Sequence, residues 1–102
     1  MTAMNIVHAR VKPGQEEEFV KLQRQLAGEE MPGARKMWVV KTGERSYCIV
    51  GEWESFDAIV AARPKMIEAL DQMRDMLEDL GGGRGVTEPY SGEAVVEVTG
   101  GR

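Results

Sequence analysis

Residues 34–55, ARKMWVVKTGERSYCIVGEWES, decide the fold. Two runs rich in β-branched and aromatic residues, about Ala34 to Thr42 and Ser46 to Glu54, flank the polar connection Gly43-Glu44-Arg45. A short glycine-containing loop between two such runs is a hairpin signal, so these strands are expected as antiparallel neighbours. Successive strand side chains face opposite ways. Trp38 and Val40 therefore point to one side and Met37 and Val39 to the other, while Cys48 and Val50 oppose Tyr47, Ile49 and Trp53. Both faces of the hairpin are apolar. Helices can cover one; the other would be an apolar patch unusual in a soluble monomer.

Upstream, Val7, Ala9 and Val11 alternate with His8, Arg10 and Lys12, which reads as a first strand over about Met4 to Lys12, ended by Pro13-Gly14. Gln15 opens a helix with Glu16, Glu17 and Glu18 in its first turn, where carboxylates meet the positive end of the helix dipole. Phe19, Leu22 and Leu26 give it one apolar stripe, and it is expected to run to about Glu30 before Pro32-Gly33. Downstream, Ser55 is a good N-cap for a helix-like stretch reaching Leu80, with Pro64 as a kink or restart and Met66, Leu70, Met73, Leu77 and Leu80 on one face. Gly81 to Gly85 ends it. An irregular link through Glu88-Pro89-Tyr90-Ser91-Gly92 leads to a last strand over Glu93 to Thr99, in which Ala94, Val96 and Val98 alternate with Glu93 and Glu97.

The order strand, helix, strand, strand, helix, strand is the α+β, ferredoxin-like βαββαβ arrangement. Right-handed crossovers put both helices on one face of a four-stranded antiparallel sheet. The chain is read as one domain, residues 1–102, with its core over about 4–98 and a tail, 99–102, expected to fray. At 102 residues it would bury roughly 65% of its extended-chain surface, a thin core that a partner would complete. The uncovered sheet face is accordingly expected to pack on a second copy, giving a homodimer joined through its sheet faces.

With 13 basic and 17 acidic residues the net charge is −4, which argues against a nucleic-acid partner. No apolar run is long enough for a membrane span, and no basic segment followed by an apolar one opens the chain. Cys48 is the only cysteine, which excludes an intrachain disulfide and a cysteine-rich zinc cluster and fits a cytoplasmic protein.

His8 is the only histidine and the natural general base or acid; its bland alternative is a strand histidine hydrogen-bonded at a sheet or dimer surface. Tyr47 and Trp53 share a strand face and would suit the wall of a pocket for a flat, apolar ligand, or else simply belong to the core. The seven methionines read as core filler or an adaptable lining. Glu52 and Glu54 share a strand side, where a solvated or salt-bridged role outweighs acid–base work. The glycine run Gly81 to Gly85 lacks the Lys-Ser/Thr of a phosphate loop and follows a helix, so it reads as a helix end. Neither a metal nor a cofactor is expected, since one His and one Cys on different strands do not make a site.

Val11-Lys12-Pro13-Gly14, Gln15-Glu16-Glu17-Glu18-Phe19 and Gly51-Glu52-Trp53-Glu54-Ser55 together resemble the antibiotic biosynthesis monooxygenase-like family of dimeric α/β barrels. The resemblance covers about residues 4 to 98. It implies a ferredoxin-like protomer, a homodimer joined through its sheets, and a pocket between sheet and helices. Branches of the family include cofactor-free oxygenases acting on polycyclic phenols and anthrones, haem-degrading enzymes, and isomerase-like or signal-processing proteins. Trp53 matches the family's tryptophan at the end of the third strand, which lines the pocket in the oxygenases. Many relatives carry a histidine on the second helix; Ala61-Ala62-Arg63-Pro64 has none, which leaves only His8 as an axial imidazole for haem. Haem degraders also place an asparagine on the first strand, but Asn5 stands at a different distance from Gly14 and is not given that role.

The resulting expectation is a cofactor-independent monooxygenase for a small aromatic or quinol-type metabolite. His8 would be its base, Trp53 and Tyr47 its pocket walls or hydrogen-bond donors, and Arg63 an anion-stabilising group. Its rivals are a non-catalytic small-ligand-binding or stress-associated dimer and a lactone isomerase-like enzyme on the same scaffold.

Overall fold

The computed structural model describes residues 1–100. Gly101 and Arg102, half of the tail expected to fray, lie outside the described residues. The elements are β1 (Ala3–Arg10), α1 (Glu16–Leu26), β2 (Ala34–Gly43), β3 (Ser46–Trp53), α2 (Phe56–Met73) and β4 (Thr87–Glu93). The four strands form one antiparallel sheet in the order β2-β3-β1-β4, the ferredoxin-like arrangement expected from the element order.

The hairpin forms as its sequence demands: Trp38 pairs with Val50, Val39 with Ile49 and Lys41 with Tyr47. Arg45 in its connection takes a positive φ of 58°. The Ser55 hydroxyl accepts from the Ala58 N–H at 3.1 Å, capping α2, which then runs unbroken through Pro64. Between α1 and β2 the chain turns at Gly33, whose φ is +88° and where a β-carbon would stand 2.5 Å from the Ala58 Cβ; only glycine lets β2 begin this close to α2.

Three boundaries differ from the sequence reading. The last strand is Thr87–Glu93, not Glu93 to Thr99. β1 begins at Ala3, which pairs with Glu93, and Ala94 reaches only the Thr2 carbonyl at 2.8 Å; the alternating valines beyond it have no strand left to pair with. Pro89 is tolerated because β4 is an edge strand. The second helix ends at Met73 with one tight turn, Arg74–Met76, instead of continuing to Leu80. Leu77 leaves the helix to bridge Val11, with Lys12 N–H on the Met76 carbonyl and Glu78 N–H on that of Arg10. Sheet pairing wins over helical period there, and Leu77 and Leu80 are buried by the extended route. The first helix likewise stops at Leu26 and not Glu30.

The register sorts the sheet faces. Ala3, Asn5, Val7 and Ala9 of β1, Tyr47, Ile49, Gly51 and Trp53 of β3, and Met37, Val39 and Lys41 of β2 share the side on which the buried core lies. That core is divided. One cluster joins Ala9, Val11, Phe19 and Tyr47 to Met73 and Leu77; the other joins Ala3 and Trp53 to Ile59 and Ala62. The middle of the sheet, at Asn5, Gly51 and Met37, falls between them. The opposite face carries Ile6, His8, Trp38, Val40, Cys48 and Val50 with no helix over it. No described helix is long and apolar enough to cross a membrane.

Candidate functional site

On the helix-bearing face, Met37 pairs with Gly51, Val39 with Ile49 and Lys41 with Tyr47. These three rows span four residues, about 13 Å. α1 does not roof them fully, so Met37 and Val39 remain 43% and 38% exposed although they lie on the core side of the sheet. The result is a groove of about 410 Å³ between Val20, Gln23, Arg24 and Ala27 on one bank and Val39, Lys41 and Tyr47 on the other. Gln23 is buried and its amide nitrogen contacts the Met73 sulfur at 3.5 Å, which braces the bank from behind.

The outer end of the groove is charged. The Tyr47 hydroxyl donates to Glu16 Oε1 at 2.7 Å, and Lys41 Nζ approaches the same oxygen at 3.0 Å. The phenol itself is buried, its ring tilted against Phe19 at 4.9 Å between centroids, with Lys41 5.7 Å from its ring centre. The Tyr47 hydrogen bond, then that of Lys41, hold the Glu16 carboxyl below the usual carboxylate range. Bonding to Glu16 raises Lys41, and burial together with Glu16 raises Tyr47. At neutral pH the cluster is therefore a carboxylate, an ammonium and a neutral phenol. Because the folded carboxyl titrates low, its contribution to stability is complete above the ordinary carboxylate range and is lost as the pH falls beneath it. Tyr47→Phe removes the largest cause, so the Glu16 carboxyl is expected to titrate higher in that variant. Carbon-detected NMR titration measures this, and an unmoved midpoint would detach Tyr47 from the cluster.

Farther along the same sheet face, past the residues that line the groove, lies a buried donor without an acceptor. Trp53 is fully buried, and its indole Nε1–H has no hydrogen-bond partner. Such groups are rare in native interiors and call for an explanation. The indole lies across the bare backbone of Gly51, where a β-carbon would stand 2.7 Å from Nε1 and 3.1 Å from Asn5 Oδ1. Asn5 pairs with Gly51 in register and is 8% exposed. The pairing of β1 with β3 thus brings beside Trp53 an amide that its spacing from Gly14 had set aside.

Of the four side chains expected to form the site, only Tyr47 lines the groove. Trp53 lies farther along the same face. His8 points the other way, on the open face, where its Nε2 is 3.0 Å from the Ser46 hydroxyl. Arg63 lies on the exposed side of α2, 3.5 Å from the Ser91 hydroxyl and 5.7 Å from the Phe56 ring centre. The structure does not gather these four. Sequence reasoning missed Glu16, Arg24 and Lys41, and one signal for Lys41 was available: it shares the face of Met37 and Val39 by alternation. Glu16 was read for its helix dipole alone, since nothing in the sequence shows that the start of α1 meets Tyr47.

The profile of the antibiotic biosynthesis monooxygenase family matches residues 2–78. No curated protein matches the chain. Among solved structures, a conserved protein from Methanosarcina mazei superposes with a TM-score of 0.75 at 17% identity, over 91% of this chain and 92% of that one. SnoaB, a cofactor-independent oxygenase from Streptomyces nogalater, gives 0.66 at 15% identity over 95% and 96%. MhuD, solved with two manganese protoporphyrin IX molecules per active site, gives 0.67 at 26% identity over 96% and 99%. Membership of this family supports a monooxygenase-type or small-ligand-binding role, and the structural neighbours share the fold. With three quarters of its length matched from β1 to the end of α2, the chain belongs to the antibiotic biosynthesis monooxygenase family.

Proposed function

We propose that the protein is a cofactor-independent monooxygenase for a small aromatic or quinol-type metabolite that lies along the groove between α1 and the β2–β3 hairpin. The observation that carries this reading is the unpartnered N–H of Trp53 beside Asn5, on the sheet face whose exposed apolar rows lead to a charged cluster. A multi-ring ligand of about 10–13 Å, the span of those rows, would lie on Val39 and Met37 with one polar end at each terminus of the groove.

Such a reaction needs a base for an acidic phenolic or carbon-bound proton. Glu16 is the carboxylate at the charged end and in this reading takes the proton, although its bonds to Tyr47 and Lys41 lower its basicity, while Lys41 and Arg24 offer charge to the substrate anion. The electron-rich anion then donates to dioxygen. When a ring CH₂ becomes a carbonyl, one oxygen atom enters the product and the other leaves as water, and the substrate supplies all four electrons. In this reading a ligand oxygen that reaches past the groove lining to the buried Trp53 N–H and Asn5 amide would hydrogen-bond them.

Two copies packed through the open faces would cover Ile6, Trp38 and Val40, which are 40–43% exposed in the single chain. A reduced cytoplasm fits the free Cys48.

An oxygen electrode with a panel of anthrones and hydroquinones tests the activity. Oxygen consumption matched to product is expected, with the rate in Glu16→Gln lowered about 100-fold, the scale of a lost general base. His8→Ala is expected to keep turnover, because His8 faces away from the groove; its loss in a folded dimer would move the chemistry to the open face. Saturable binding with no oxygen consumption would identify a binding module instead.

A further inference from the structure

We propose that the groove takes an aromatic acid, a flat ring system whose carboxylate is held in an adjoining cavity by Lys21 and Arg24 of α1. This rests on the reading above, whose ligand it narrows to one class. The adjoining cavity, about 400 Å³, is lined by Glu16, Glu17, Val20, Lys21, Arg24 and Tyr47. It shares Val20, Arg24 and Tyr47 with the groove of about 410 Å³, so the two meet along one side of α1. The groove offers Val39 and Tyr47 to an apolar body, and the adjoining cavity offers charge.

The charges there are unevenly matched. In a chain of net charge −4, the two cavities carry three cations, Lys21, Arg24 and Lys41, against two carboxylates, Glu16 and Glu17. Glu16 is already engaged, by the Tyr47 hydroxyl at 2.7 Å and by Lys41 at 3.0 Å. Lys21 and Arg24 have no ion-pair partner among the described residues, and Glu17 reaches neither. They stand three positions apart, which makes them neighbours on one helix face, about 4.5 Å apart along its axis. Like charges so placed destabilise a helix, and an anion between them offsets that repulsion. Arg24 lies in the last turn of α1, where the helix dipole favours a cation; Lys21, nearly a turn earlier, lies outside that reach.

A single carboxylate suits this pair. Arg24 offers a planar fork for two oxygens, and Lys21 a point charge on a flexible stem. A polyanion would carry more charge than two free cations balance, and Glu16 and Glu17 beside them would repel the excess. A neutral ring would leave both cations unmatched. The contact also orients the ligand. Met37 and Val39, 43% and 38% exposed, offer a floor without direction, on which a flat ring system could lie either way round. An acid fixed at Lys21 and Arg24 selects one of the two, and so decides which part of the ring system lies beside Glu16.

The test uses anthraquinone-2-carboxylate and its carboxamide, which match in shape, differ by one charge and are already oxidised, so binding is read apart from oxygen chemistry. Isothermal titration calorimetry at low salt is expected to show the carboxylate bound about tenfold more tightly, the scale of one charge-assisted hydrogen bond. Lys21→Gln/Arg24→Gln is expected to bring the two dissociation constants within about twofold of each other, as is about 0.5 M salt in the parent chain. Both side chains are exposed, so circular dichroism is expected to show an unchanged fold in the double variant. Arg24→Lys is expected to keep part of the preference, because it keeps the charge and loses the fork. Equal constants in the parent chain, or a preference that survives in the double variant, overturn the acid site. Absence of binding by either probe overturns it together with the groove. A carboxylate preference with no oxygen uptake from any anthrone leaves the acid site standing and ends the oxygenase reading; oxygen uptake with equal constants does the reverse.

Discussion

Trp53→Ala is expected to lower the thermal midpoint by about 20 °C. Trp53 has the largest fully buried side chain and joins Ala3 and β3 to Ile59 and Ala62 under α2. Truncating a buried tryptophan costs about 3–5 kcal/mol, through lost transfer energy and an unfilled cavity. A domain of this size has about 5–15 kcal/mol in all, and each 1 kcal/mol moves its midpoint by about 4–8 °C. A melt followed by far-ultraviolet circular dichroism measures the effect, and a fall of less than about 5 °C would show that the second core cluster does not depend on the indole. Trp53→Phe separates packing from chemistry. It keeps a ring in the cluster and deletes an N–H that has no acceptor, so it removes a desolvation penalty without breaking a bond. That variant is expected to fold and melt far closer to the parent, yet to lose oxygen uptake about tenfold or more if the N–H serves a ligand oxygen. Unchanged turnover in Trp53→Phe would reduce Trp53 to a core residue.

If the protein is the proposed oxygenase, Gly51→Ala is expected to lower oxygen uptake at least as far as Trp53→Phe, about tenfold or more, at a smaller cost in stability than Trp53→Ala. The added methyl group would stand 2.7 Å from Trp53 Nε1, closer than a carbon can approach, and 3.1 Å from Asn5 Oδ1. The neighbour that must yield is a rigid indole enclosed by Ala3, Ile59 and Ala62, not the end of a flexible chain. Overpacking of this kind costs about 1–3 kcal/mol, and the displaced indole no longer lies on the strand beside Asn5. Near-ultraviolet circular dichroism reports the tryptophan environment and oxygen uptake reports the chemistry. A variant with parent-like turnover and a shifted tryptophan signal would show that the Trp53–Asn5 arrangement is not used.

The parts of the fold legible in the sequence were those set by local patterning. The 34–55 hairpin, the N-cap at Ser55 and the apolar stripe of α1 depend on side-chain period and on a few residues with strong conformational preferences. Glu93 to Thr99 misled the reading because its alternation is as regular as that of a paired strand. Period reports what a segment can become, while pairing depends on whether another strand is there to receive it, and β1, which begins at Ala3, has nothing left to pair beyond Glu93. The site was harder for the same reason. His8 and Tyr47 are both plausible as isolated residue types, but their placement on opposite faces depends on the register of β1 against β3, in which His8 stands opposite Cys48 and Ala9 opposite Tyr47. A shift by one residue would have exchanged the faces.

The sequence by itself determined the order of elements, their hairpin and right-handed connections, and the presence of two apolar sheet faces with helices for only one. These follow from period, turn residues and chirality, all properties of short stretches. Only the tertiary structure decided that Glu16, Tyr47 and Lys41 meet at one end of a groove, that Asn5 comes beside an unpartnered Trp53 N–H farther along the same face, and that His8 is turned away from both. Each of those outcomes rests on contacts between residues 25 to 48 positions apart. Their free energy depends on register and packing depth, which no local pattern encodes.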